Sequence, residues 1–90
     1  MKNLIIDGQK THDRAGLHQY IAKELDFPQW YGKNLDALFD CLTDLTEETH
    51  IAVVNRDDLY EALGGYANAL LKVLSEASEI NRMIEFNCEG

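Results

Sequence analysis

The sequence predicts an α/β domain: a three-stranded parallel sheet packed with about four helices. Three short apolar runs, Leu4-Ile5-Ile6, Ile51-Ala52-Val53-Val54 and Met83-Ile84-Glu85-Phe86, supply the strands. They are separated by two stretches of helical periodicity, which is the βαβ pattern. Nearly continuous apolar runs of this kind predict strands covered on both faces by the intervening helices. At 90 residues the chain has material for one core, so residues 1–90 read as a single domain.

Each helix has its own signals. Asp13 is a good N-cap for a first helix running to Leu25, with Leu17, Tyr20, Ile21 and Leu25 on one face. Asp26-Phe27-Pro28 ends it, because the residue before a proline is pushed out of the α region. An aromatic turn follows, Trp30-Tyr31-Gly32-Lys33, and Asn34 then caps a second helix through about Thr43. Beyond the second strand, Asn55 opens a short helix from Arg56 to Leu63. Gly64-Gly65 separates it from a longer one, Tyr66 to about Glu79, with Tyr66, Leu70, Val73, Leu74 and Ala77 facing inward.

Charge narrows the function classes. Sixteen acids against eight bases give a net charge of −8. The bases are scattered, so nucleic acids and anionic membranes, both polyanions, are poor partners. No window reaches the roughly 18–20 apolar residues of a membrane span, and the apolar run near Met1 is too short for a signal-peptide core. Cys41 and Cys88 lie far apart and match no metal or redox spacing, so reduced thiols in a cytoplasmic protein are expected. No cofactor is implied.

The second helix carries the most informative pattern. Leu35, Leu38, Leu42 and Leu45 fall within about 80° of one another on a helical wheel, a core stripe. Asp36, Asp40 and Asp44 recur every four residues on roughly the opposite face, with Phe39 at the border. Like charges at that spacing cost about 0.2–0.5 kcal/mol per pair, and no Lys or Arg lies four residues away to relieve them. Between Asn34 and Glu61 there are eight acids and one base, Arg56, so −7 of the total −8 lies in 28 residues. A solvated surface is the ordinary explanation for a charged face. Concentration without counter-charge, beside exposed aromatics, favours a surface shaped for a cationic partner.

The run Trp30-Tyr31-Gly32-Lys33-Asn34-Leu35-Asp36-Ala37-Leu38-Phe39-Asp40-Cys41-Leu42-Thr43-Asp44-Leu45 resembles the barstar family of intracellular ribonuclease inhibitors. The likeness extends to Leu17-His18-Gln19, Lys23-Glu24-Leu25, Pro28 and the Val73–Ala77 segment, and is weakest between Glu47 and Gly65. The resemblance implies a three-stranded parallel sheet with helices. It also implies that the second helix and the turn before it plug the active site of a basic, extracellular-type ribonuclease, acids standing where RNA phosphates would. Asp40 matches the central acid of that interface, Asp36 its neighbour, and Glu76 a further acid from the last helix. Trp30 matches the aromatic that stacks on the nuclease's catalytic histidine, and Phe39 a second aromatic. Gly32, Asn34, Leu35, Thr43, Asp44, Leu45 and Glu47 align with other contact positions. Trp30, Phe39, Asp44 and Leu45 depart from the best-known member, which bears on the identity of the partner. The inhibitor is expected to be monomeric when free.

Several of these residues also have plainer roles. Gly32 reads first as a turn glycine, Asn34 as an N-cap, Leu35 and Leu45 as core, Tyr31 as packing, and Cys41 as an inert thiol flanking the stripe. Two other functions fit the same residues less well. One is an antitoxin or adaptor for a different cationic protein. The other is a carboxylate-dyad enzyme using Asp36 and Asp40 with His12, His18 or His50, disfavoured because a convex helix offers no enclosed pocket.

Overall fold

The computed structural model describes residues 1–89. Three strands, β1 (Lys2–Asp7), β2 (Thr49–Val54) and β3 (Ile84–Cys88), form one parallel sheet in the order β1-β2-β3. Four α-helices connect them: α1 (Arg14–Leu25), α2 (Leu35–Thr43), α3 (Arg56–Leu63) and α4 (Gly65–Ile80). A single 3-10 turn, Gly8–Lys10, joins β1 to the segment before α1.

The expectation of strands covered on both faces is not met. Leu4, Ile6, Ile51, Val53 and Ile84 are buried, but the residues between them alternate outward, with Ile5 54% exposed and Asn3, Glu85 and Asn87 also exposed. The reason is topological. Two right-handed crossovers that step in the same direction along a sheet bring both helix pairs to one side. The opposite side carries the cross-strand rows Asn3–His50–Glu85 and Ile5–Ala52–Asn87, a largely polar face with no helix over it. Apolar continuity in β1 therefore reflected one covered face and one exposed isoleucine.

The core on the covered side is built with Leu17, Ile21 and Leu25 of α1, Leu38 and Leu42 of α2, Leu59 and Leu63 of α3, and Ala67, Leu70, Leu74 and Ala77 of α4; α1 lies against β1 and α4 against β3, with α2 and α3 packed on α4. Tyr20 is not among them. It is 41% exposed and its hydroxyl donates to the Ile5 carbonyl on the free edge of β1 at 2.7 Å. Tyr66 and Val73 are half-buried rather than core.

The helix ends follow local chemistry. Asp13 Oδ1 accepts from Gly16 N–H at 2.7 Å and Asn34 Oδ1 from Ala37 N–H at 2.8 Å, both side-chain caps. Helix α1 stops because Asp26 turns left-handed (φ 55°), and Phe27 N–H closes on the Ala22 carbonyl. Asn55 is also left-handed, and its amide does not cap α3 but donates to Asp7 Oδ1 at 2.8 Å, tying α3 to the end of β1. Gly8 is required there, because an added Cβ would run into the Asn55 carbonyl and lie 2.5 Å from Leu59 N.

Candidate functional site: an acidic cleft between α2 and α4

Helix α2 packs its Leu38 and Leu42 fully into the core and turns Asp36, Asp40 and Asp44 to solvent. Leu35 and Leu45, at the ends of the leucine stripe, are half-buried against the same core. The helix runs beside α4. Between them lies a cleft of about 460 Å³ walled by Leu35, Asp36, Phe39 and Asp40 on one side and Val73 and Glu76 on the other. Three acids from two helices distant in sequence thus share one depression with an apolar floor. Glu76 lies 3.9 Å from Lys72 one turn earlier, an exposed pair of little strength.

The mouth of the cleft continues toward the turn before α2. A hollow of about 280 Å³ shares Leu35 and Asp36 with the cleft and adds Asn34, Lys33, Arg14 and Tyr66. Arg14 and Lys33 make no ion pair among the described residues; the Arg14 guanidinium sits 4.2 Å over the Tyr66 ring. The face is therefore two-signed: acidic along α2 and α4, cationic at the end nearest α1.

The turn presents Trp30 almost bare, 81% exposed, at its tip. A large aromatic held so far into water loses much of what burial would give it, roughly 2–3 kcal/mol for a side chain of that class. Its neighbour Tyr31 does the opposite and is buried, packed on Phe27 with ring centroids 5.0 Å apart. The turn's left-handed residue is Lys33 (φ 54°), not Gly32. Gly32 sits in close quarters instead: a Cβ there would lie 3.3 Å from Ala37 Cβ and from the Asn34 amide, so both would have to give by a few tenths of an ångström.

Tyr31 is fixed from behind by His18. The imidazole is fully buried, with Nδ1 2.6 Å from the Tyr31 hydroxyl and Nε2 2.6 Å from the Tyr66 hydroxyl. Burial lowers the His18 pKa below its usual value of 6.5 and raises that of Tyr31. A neutral imidazole has one acceptor and one donor. Tyr31 is buried with no other acceptor among the described residues, whereas half-buried Tyr66 borders an open hollow where its hydroxyl can donate to water, so the Tyr31 hydroxyl donates to Nδ1 and Nε2–H donates to the Tyr66 oxygen.

Other residues singled out from the sequence lie outside the cleft. The Thr43 hydroxyl is engaged with the Phe39 and Asp40 carbonyls at 3.0 and 3.1 Å. Asp44 is the exposed C-cap of α2, and Glu47, beyond it, lies 3.7 Å from the N-terminal ammonium of Met1. Cys41 and Cys88 are both free; burial first, then Asp44 and Asp40, raises the Cys41 thiol pKa, which keeps it unreactive. None of the three histidines reaches Asp36 and Asp40. His18 is held by its tyrosines, His50 faces Asn87 on the open side of the sheet at 2.9 Å, and His12 lines a separate hollow of about 590 Å³ at the β1 edge.

Sequence reasoning missed Arg14, Lys33 and Tyr66 at the cleft mouth, the clamping role of His18, and Asn81. The Asn81 amide donates to the Leu42 and Leu45 carbonyls, both at 2.9 Å, closing the C-terminal end of α2 from a neighbouring segment. Lys33 adjoins Asn34 and Asp36 in the chain and was within reach of a local reading; the others were not, because their partners are remote in sequence.

A family model described as Barstar (barnase inhibitor) matches residues 1–89. The chain belongs to the barstar family. It is 40% identical over 80 residues to YrdF of Bacillus subtilis (strain 168), a protein named provisionally as a ribonuclease inhibitor, covering 88% of each chain. As a barstar-family protein it is an inhibitor and not an enzyme, so the carboxylate-dyad reading falls away. The parallel sheet and helices agree with the fold that the resemblance implied. Among the described residues no helix is long and apolar enough to cross a membrane, and no group of three or more His, Cys, Asp or Glu is placed to hold a metal ion.

Proposed function

We propose that this protein inhibits a basic, barnase-type ribonuclease in the cytoplasm by seating the α2–α4 cleft and the turn before it over the nuclease's phosphate-binding site. The observation that carries this reading is the convergence of Asp36, Asp40 and Glu76 on one cleft with an apolar floor. RNA phosphates meet arginines and lysines in such an active site, and carboxylates on a rigid helix offer those cations the same oxygens. Arginine forks pair with carboxylates in charge-assisted, often bidentate hydrogen bonds, strongest where water is excluded.

In this reading Asp40 takes the central position and Asp36 and Glu76 flank it. Phe39 and Leu35 supply apolar contact beside them. Trp30, already exposed on a fixed turn, is the aromatic anchor, and aromatic anchors commonly dominate such interfaces. Gly32 and Asn34 shape the turn. Thr43, Asp44, Leu45 and Glu47 extend the contact past the end of α2. The free protein is a monomer.

The test is RNA cleavage by a barnase-type ribonuclease titrated with the purified protein. Loss of activity that is complete at one equivalent is the expected result. Undiminished cleavage at a large excess, at both low and moderate salt, contradicts the proposal for that nuclease class and points to a different cationic partner.

A further inference from the structure

The two tyrosines on His18 come from separate elements: Tyr31 from the turn before α2, Tyr66 from the first turn of α4. The imidazole is therefore the bolt between the turn carrying Trp30 and the helix carrying Glu76. Phe27 packs on the other side of Tyr31, and the Tyr31 N–H closes on the Pro28 carbonyl at 3.0 Å, so the turn is rigid where it contacts the clamp. From these contacts we propose that His18 and Tyr66 are positioning residues for the partner-binding turn, and that they hold it in place only while His18 is neutral.

The chemistry of the clamp leaves one arrangement. Neutral His18 accepts from the Tyr31 hydroxyl at Nδ1 and donates to the Tyr66 oxygen at Nε2. Protonation places a hydrogen on Nδ1, which then faces the Tyr31 O–H donor to donor. The Tyr31 hydroxyl must then swing its hydrogen away, into surroundings that hold no acceptor for it among the described residues. A buried donor without a partner is expensive, and the side chain that can escape is the one on the turn.

The groups facing the imidazole favour the neutral form. Tyr31 from the turn and Tyr66 from α4 are both uncharged. Cys41 of α2, close enough to influence Tyr31, is a thiol kept protonated by burial and by Asp44 and Asp40. The nearby full charge is a cation, Arg14, on His18's own helix and stacked on Tyr66. Among the described residues no carboxylate contacts the ring to welcome a proton, and burial holds its pKa below the usual range.

Trp30 is the single tryptophan and adjoins Tyr31, so it reports on the turn directly. The experiment follows the His18 ring protons and the Trp30 indole by NMR, with Trp30 anisotropy and far-UV circular dichroism, from pH 8 to pH 4. In the parent, the Trp30 signals are expected to stay constant through neutral pH and then shift with the His18 midpoint, below 6.5 and before helicity is lost. In Tyr66→Phe, which keeps the ring and removes the acceptor of Nε2–H, the shared midpoint moves downward, because the imidazolium loses a charge-assisted hydrogen bond. In His18→Gln, which cannot be protonated, the step is absent. A Trp30 step that persists in His18→Gln, a His18 titration without a Trp30 response, or coincident loss of helicity overturns the clamp. Should His18→Gln fail to fold, the direction of the Tyr66→Phe midpoint decides alone.

The clamp rests on the proposed inhibitory role only in calling the turn partner-binding. Inhibition of the barnase-type ribonuclease, measured across the same pH range, separates the two. Inhibition that weakens with the His18 midpoint in the parent and not in His18→Gln joins them. A Trp30 step that follows His18 in a protein that inhibits at no pH supports the clamp and contradicts the partner reading.

Discussion

Asp40 faces solvent one turn from both Asp36 and Asp44, with no base beside it, so in the free protein it is a slight burden on α2. Replacing it with alanine should change folding stability by no more than about 0.5 kcal/mol, within the range of surface substitutions. In a complex that buries it against cations, the same change leaves the partner's charge unmatched and should weaken binding by about a hundredfold or more, equivalent to roughly 3 kcal/mol. His18 gives an opposite case, a buried group whose titration shows in stability. Its folded pKa lies below 6.5, so the unfolded chain takes up the proton first as pH falls. Thermal stability should therefore be constant at alkaline pH, decline as pH drops through 6.5, and level off once the folded imidazole titrates. Asp7, held below 3.8 mainly by the Asn55 amide and then by Gln9 N–H, adds a second loss at lower pH. The aspartates of α2 were legible in the sequence because a helix brings every fourth residue together. The partners of His18 were not, since Tyr66 lies 48 residues away and no periodicity links them.

Helix α2 is nine residues long, too short to be stable from its own hydrogen bonds. It is fixed at its N-terminal end by Asn34 and at its C-terminal end by Asn81, whose amide spans the Leu42 and Leu45 carbonyls while its Oδ1 accepts from Met83 N–H. Asn81→Ala should destabilise the protein by about 2 kcal/mol by denaturant unfolding, several half-buried hydrogen bonds being lost together. The β1–α3 junction is sterically closed instead. Gly8→Ala has to push the Asn55–Leu59 backbone away and should cost about 3 kcal/mol by the same measurement. The helix boundaries at Asp13, Asn34, Asn55 and Gly64 could be read from the chain because caps and breakers act within a few residues. Asn81 could not, because an asparagine after a helix reads as a stop signal for that helix, not as a cap for another.

Across the whole molecule, the βαβ rhythm gave the strand number and the parallel sense, but not which side of the sheet the helices occupy. That depends on strand order, and the polar outward residues Asn3, His50, Glu85 and Asn87 were outweighed by the apolar runs around them. Glu76 joined the site only through the family resemblance; the packing of α4 beside α2 puts it in the cleft. The net charge is −8, and Asp36, Asp40 and Glu76 of the cleft are part of it. Association with a basic ribonuclease should therefore slow by about tenfold or more as ionic strength rises from about 0.01 M to 0.5 M, with little change in the dissociation rate. Stopped-flow mixing measures both. The central claim is that the cleft acids, and not acidity in general, hold the partner. It is tested most directly by comparing the affinity of a barnase-type ribonuclease for the parent, for Asp40→Ala and for Asp57→Ala, an exposed acid on α3 outside the cleft. A hundredfold or greater loss in Asp40→Ala with near-parental binding by Asp57→Ala is the expected result. Equal binding by all three, or equal losses in both variants, would contradict it.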